Sequence, residues 1–422
     1  MTTPVLPAGD RDRLRELARR QAGIAALPVM TERRKMWTDL NDGVSGVRPP
    51  VIVETWTFDR DFLPASVYRC ESPEGRAIEH QLLRNIRNHE LIDDDKVMPA
   101  SFDYGWEVAI EEFGVAVPVE MRQDAQGVET GYRWEHPIKD LERDFGLLKP
   151  AVCRVDRAAT AARRAFLEEL LGDLLPVRLT TGTFGPTMLT HRAILLMGME
   201  SFFMAMIETP EEVHRLMRYL RDNALSVMRW AEAEGLLRAN AGNDVSFGSS
   251  FNFTTKLPST GDDVPVRLAD MWGCTNSQES IGISPAMYNE FCFPYYQAVS
   301  EPVGLLYYGC CEPAHPYWKD VSRYPHLKKV SVPKWCDQRF VAEAIKGTGI
   351  VLSRKPDPNL VGVNPKLDEE AWSAHIRETL EAAKGVPREI ILRDVYTGHG
   401  DLAKPRRAGE LARREIARSF RP

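Results

Sequence analysis

The run Val303–Val332, VGLLYYGCCEPAHPYWKDVSRYPHLKKVSV, decides the fold. Its two ends, Val303–Tyr308 and Leu327–Val332, are continuous β-prone runs rather than alternating ones. That is the pattern of parallel strands covered on both faces. Outward from it, similar runs recur at Val51–Trp56, Val97–Phe102, Pro176–Thr181, Leu236–Ala241, Gly349–Ser353 and Glu389–Leu392. Eight runs with helical stretches between them predict an α/β chain folded as a single (β/α)8 TIM barrel.

Around this frame the helices carry their own punctuation. Residues 1–50 read as an N-terminal helical extension, in which Asp10 can cap a helix and Thr31 to Leu40 forms a second. Residues 51–422 read as the barrel. An inserted excursion around 104–150, after the second strand, is too long for a minimal barrel loop. Within it, Glu120–Arg133 reads as a hairpin turning at Gln126-Gly127. Thr209-Pro210-Glu211-Glu212 has the form of a capping box, and Val213, Leu216, Met217, Leu220 and Ala224 follow at helical spacing. The last helix is expected over Glu410 to Phe420.

Composition narrows the function classes. The 422 residues carry a net charge of −6, with 43% hydrophobic and 27% charged residues. That is globular composition. A mildly acidic chain has no global field for nucleic acid or anionic lipid. No apolar run approaches the roughly 20 residues of a membrane span, and the first residues are charged where a signal peptide needs its apolar centre. The expectation is a cytoplasmic protein with a small-molecule substrate. Seven cysteines are too few, and odd in number, for a disulfide framework.

Barrel chemistry sits at the C-terminal ends of strands. Those positions hold Glu54, Asn243, Asp244, Cys310, Cys311, Lys334, Trp335, Lys355, Arg393 and Asp394. The sharpest feature is Gly309-Cys310-Cys311-Glu312-Pro313, followed by His315. Thiolate, carboxylate and imidazole all ligate zinc. One of the two cysteines is therefore a candidate zinc ligand, with Glu279 and His399 supplying the rest; ordinary packing of one thiol is the alternative. Glu279, Asp244 and Asp394 are the candidate catalytic carboxylates. Asn243, Trp272, Lys334, Trp335, Lys355, Arg393 and Glu54 are candidate substrate-binding residues. No phosphate loop or dinucleotide fingerprint is present.

Four stretches carry a family resemblance: LLYYGCCEPAHPYWKDVSRYPHLKKVSVPKWCD, AGNDVSFGSSFNFTTKLP, MWGCTNSQESIGISPAMYNEFCFPYY and EIILRDVYTGHGD. Together they resemble the uroporphyrinogen decarboxylase-like superfamily, from about Val51 to the C-terminus. The nearest branch is the one with Gly-Cys-Cys-Glu-Pro after the fifth strand. The resemblance implies one (β/α)8 barrel, a cleft at the strand C-termini and a homodimer. It implies one of two activities. One is cofactor-free porphyrinogen decarboxylation. The other is zinc-dependent methyl transfer between a corrinoid and a thiol or small molecule.

The match departs from both branches. The arginines of the decarboxylase N-terminal stretch are missing from RPPVIVETWTFDRDF, although Arg48 and Pro50-Val51 echo its opening. The His-x-Cys of the methyltransferases falls on Tyr308 and Cys310, or after a shift of one on Gly309 and Cys311. Their later Cys has no counterpart near Asp394–Gly400, where His399 is the one soft ligand.

The resemblance favours zinc-assisted methyl transfer, with a corrinoid delivered by a partner protein because the chain lacks Asp-x-His-x-x-Gly. The first alternative is a metal-free decarboxylase using Asp244, Arg354, Lys355 and Arg393. The second is a barrel that binds a ligand without turning it over.

Overall fold

The computed structural model describes residues 6–123, 129–181, 187–258 and 263–419. Eight parallel strands form its frame. They are β1 (Val51–Val53), β2 (Phe102–Gly105), β3 (Val177–Thr180), β4 (Trp272–Thr275), β5 (Leu305–Tyr308), β6 (Leu327–Val332), β7 (Val351–Arg354) and β8 (Arg388–Leu392). Six pair in the order β1-β8-β7-β6-β5-β4, and β2 pairs with β3 in a separate piece. The arrangement is barrel-like, but the ladders do not close into a ring among the described residues.

The strand count agrees with the sequence, but two placements do not. Val97–Phe102 was expected as the second strand, and β2 begins only at its last residue, Phe102. Leu236–Ala241 was expected as the fourth strand and forms no ladder. The cause is a side chain. Asn240 Oδ1 accepts from Trp272 N at 2.9 Å, and its Nδ2 donates to Trp272 O at 2.9 Å. An amide thus occupies both backbone groups that a neighbouring strand would use. Arg238 N, on the same segment, is taken by Thr181 Oγ1 at 3.0 Å. The strand that replaces it, β4, reads WGCT and is buried throughout. Its glycine is required: a Cβ on Gly273 would lie 2.8 Å from Val303.

Two helices precede β1, α1 (Ala8–Ala25) and α2 (Pro28–Asp42). The extension is as expected, but Asp10 caps nothing. It lies buried inside α1, and its carboxylate accepts from Glu71 N at 2.8 Å and from Ser72 N and Oγ at 3.0 and 2.6 Å. The residue fastens the extension to the helix Pro73–Arg87 instead of opening its own helix.

The excursion after β2 contains two antiparallel ladders. Val108–Glu111 pairs with Val152–Val155, and Val119–Gln123 pairs with Glu129–Trp134, Glu120 lying opposite Arg133. The expected turn at Gln126-Gly127 lies outside the described residues, as does Phe420. The helix Pro210–Ala233 buries Val213, Leu216, Met217, Leu220 and Ala224 as its spacing predicts, but Thr209 makes no side-chain capping bond. Burial of each large apolar side chain stabilises by about 1.5–3 kcal/mol. The final helix runs Ala403–Ser419. Among the described residues no helix is long and apolar enough to cross a membrane.

Candidate active site

The chain leaves β5 through Gly309, whose φ of 94° is a left-handed conformation suited to glycine. This turn presents Cys310 at the strand end. Its backbone is held on both sides. Cys310 N donates to Glu312 Oε2 at 2.9 Å, and Cys310 O accepts from Ser331 Oγ at 2.8 Å. The Glu312 carboxylate also accepts from Ser277 N at 2.9 Å. Burial pushes Glu312 up to about 7.

Two groups converge on the Cys310 sulfur. Cys311 Sγ lies 3.7 Å away, and Arg393 Nη1 lies 3.6 Å away. The hydrogen bond from Cys311 lowers the Cys310 thiol below its ordinary value, against burial, and the charges of Arg393 and Lys355 add to the effect. The Cys311 thiol is raised, by the same hydrogen bond and by burial. The pair is arranged to share one proton, and the guanidinium 3.6 Å from Cys310 favours the anion on that sulfur.

Arg393 follows β8 directly. Its Nε lies 3.5 Å from Glu54 Oε1 and 3.5 Å from Asp394 Oδ2. Neither Arg393 Nε nor Glu54 Oε1 has a partner in hydrogen-bonding geometry, although both are buried. Ser249 Oγ meets the other Glu54 oxygen at 3.3 Å. Asp394 sits at φ 59°, a conformation rare outside glycine. Lys355, at the end of β7, donates to Tyr307 Oη at 2.7 Å and to Ser353 Oγ. Burial pulls its ammonium down to about 7.

Cys311 lines a cleft of 510 Å³ together with Glu279, His191, Trp134, Tyr132 and Trp335, and the Cys310 sulfur stands 3.7 Å from that of Cys311. Trp335 Nε1 donates to Cys311 O at 2.6 Å, which fixes the indole beside the thiol. Glu279 is buried at the back of the cleft. Its oxygens meet His191 Nδ1 at 3.1 Å and Thr190 Oγ1 at 2.7 Å. Burial works to raise this carboxyl, but the two hydrogen bonds outweigh it and leave it below its ordinary value. Glu279 is thus a buried anion facing aromatic rings.

The other residues named from sequence are placed elsewhere. Asp244 is engaged by Arg178 at 3.0 Å, and Arg178 also grips Asp103 at 2.6 Å. Trp272 is buried in the core and donates to Asn252 O at 2.9 Å. Lys334 pairs with Asp357 at 3.0 Å. Arg354 is buried against the carbonyls of Val332 and Pro333 at 3.2 and 2.7 Å. Asn243 lines a separate cavity beside β1.

The zinc set expected from sequence does not assemble. His399 turns its Nε2 to Gly362 O at 2.9 Å, and Glu279 is occupied by His191 and Thr190. Among the described residues no group of three or more His, Cys, Asp and Glu side chains is gathered to hold a metal ion. The charge facing Cys310 is a guanidinium. The donors present do not fit zinc, and no chemical step is assigned to one. Sequence reasoning missed His191 and Ser249; the signal for His191 was a Thr-His pair opening a helix after the third strand's loop.

In overall fold the chain is similar to a methyltransferase from Methanosarcina mazei, with a TM-score of 0.51 and 15% identity over 91% of this chain and 99% of that one. No protein-family model and no curated protein matches the sequence.

Proposed function

We propose that this protein is an enzyme of methyl-group transfer in which Cys310 is the sulfur nucleophile. The observation that carries the reading is the Cys310 sulfur held 3.7 Å from Cys311 Sγ and 3.6 Å from Arg393 Nη1 at the end of β5. A thiolate, not a thiol, attacks carbon. Arg393 and the Cys311 proton stabilise that thiolate without a metal. The likeness in fold to a methyltransferase supports the choice of reaction class.

The donor enters the cleft against Trp134, Tyr132 and Trp335. Aromatic faces and the Glu279 carboxylate attract a methyl borne by an electron-poor or cationic centre. A bond forms between Cys310 Sγ and the methyl carbon as the donor–carbon bond breaks, its electron pair leaving with the donor. An acceptor thiolate then takes the methyl from Cys310, which regains its anion beside Arg393. A corrinoid on a partner protein is one source of the methyl in this reading.

The test supplies methylcobalamin or tetramethylammonium to the full-length protein and maps the cysteines by mass spectrometry. Expected is one methyl on Cys310, none in Cys310→Ser, and transfer onward to an added thiol. Ligand uptake with no methylation at any cysteine would support the non-catalytic reading instead. Stoichiometric zinc in untagged protein, lost on joint replacement of Cys310 and Cys311 by Ala, would replace the free thiolate with a metal-bound one. The decarboxylase reading draws less support, because Asp244 and Arg354 are each engaged away from Lys355 and Arg393.

A further inference from the structure

We propose that the cavity beside β1 is a binding site for a small organic anion with an apolar body. The cavity has a volume of 240 Å³. That is below the span of about 300–1,000 Å³ usual for drug-sized ligands, so its occupant is small. Its cationic wall comes from Arg33 on α2, Arg84 on the helix Pro73–Arg87, and Lys96. Among the described residues no Asp or Glu lines it. The carboxylates that steady these cations stand outside the lining: Asp93 on Arg33 at 2.9 Å, Asp59 on Arg84, and Asp94 at 3.9 Å from Lys96. The rest of the wall is largely apolar, with Met30, Met98 and Phe251 among it. A charged head and a hydrocarbon body match such a wall.

Three buried polar atoms of the lining have no hydrogen-bond partner: Arg84 Nε, His89 Nδ1 and Asn243 Oδ1. Buried polar groups are nearly always paired, so the orphans on His89 and Asn243 beside one cavity suit a ligand group; Arg84 Nε adds a donor there, although Asp59 Oδ1, on its ion-pair partner, is unpartnered too. Arg84 Nε–H and His89 Nδ1–H can both donate to an anionic oxygen. Asn243 can present its oxygen or, by rotation of the amide, its NH₂.

The backbone supports the assignment independently. His89 lies on a π-helical turn, Asn88–Ile92, which is followed by Asp93 at φ 52°. Ser249, also in the lining, sits at φ 64°. Such turns and left-handed non-glycine residues cluster where a site is being shaped. Ser249 also reaches Glu54 at 3.3 Å, so the cavity adjoins the network around Arg393 and the thiols. The inference does not depend on methyl transfer being the reaction.

Titration calorimetry on the full-length protein tests it with benzoate and hexanoate against their neutral isosteres benzamide and hexanamide. At least one of the two anions is expected to bind once per chain. Its amide should bind at least about tenfold more weakly, the scale of a charge-assisted hydrogen bond. Arg84→Gln should weaken the anion and not the amide. Asn243→Leu, which fills the cavity from a loop and leaves the Arg84–Asp59 pair intact, should abolish binding even where Arg84→Gln unfolds. Equal binding of acid and amide, anion binding that survives Asn243→Leu, or no uptake of either anion would each overturn the proposal.

Discussion

Two buried charged clusters share β8, one through Glu389 within the strand and the other through Arg393 just past its end, and they are built differently. Lys329 and Glu389 are wholly buried and 3.2 Å apart. All the donors of Lys329 are used: Ser250 Oγ at 2.6 Å, Phe251 O at 2.9 Å and Glu389. The rings of Trp37 and Trp272 each stand 5.5 Å from its ammonium. Arg393 and Glu54, at the strand ends, are buried almost as deeply, yet Arg393 Nε and Glu54 Oε1 remain without hydrogen bonds. The first cluster is saturated and holds the sheet together. The second keeps unsatisfied capacity beside a thiolate, which is where a reacting group can be stabilised.

The largest effect expected from this contrast is on stability. Lys329→Met leaves Glu389 buried without its main counter-charge and should cost about 3–5 kcal/mol. Pairing it with Glu389→Gln should restore much of the loss. Urea unfolding of the two variants checks this; identical midpoints for single and double variants would break the contrast.

Arg393→Met strips buried Glu54 of its counter-charge at some cost to the fold, and beyond that cost it should harm the chemistry. A methyl-transfer rate about 10²–10³-fold lower is the scale of one lost electrostatic donor. Labelling of Cys310 by iodoacetamide should then need higher pH. The sign follows from the lowered Cys310 thiol. Its contribution to stability is complete above the ordinary thiol value of about 8.5 and is lost as pH falls through the folded value. An unchanged labelling profile in Arg393→Met would sever the guanidinium from the thiolate.

The smallest effect sharpens the picture from the acid side. Burial raises Glu312 to about 7, so its proton is bound more tightly in the folded chain. The stability it allows is greatest below the ordinary carboxyl value near 4.3 and declines as pH climbs to about 7, by up to ~1.4 kcal/mol per pH unit. Glu312→Gln should flatten that decline in unfolding curves taken across the window. A slope that persists would assign it to another group.

The strand-end rule made the thiol centre legible. Cys310, Lys355 and Arg393 follow runs of apolar residues whose type and length are plain, and Glu54 follows β1. What escaped reading lies off that rule. β4 escaped because WGCT is short, has Thr275 as its one branched residue and depends on close packing against Val303. Leu236–Ala241 has strand composition, but its pairing groups are pre-empted by one side chain. His399 is a loop imidazole whose partner, a carbonyl 37 residues earlier, no local pattern encodes. The cationic cavity draws on α2, a π-helical turn and the loop after Leu236–Ala241, three segments with no shared motif.

The Asn240 bridge has a consequence of its own. One carboxamide supplies both the donor and the acceptor that join the 236–240 segment to β4. Conversion of that amide to an acid by spontaneous hydrolysis changes a single atom, nitrogen to oxygen, and sets two lone-pair-bearing oxygens against each other across the seam. Chemical ageing at this one position would unzip the junction from within, with every residue of the hydrophobic interior unaltered.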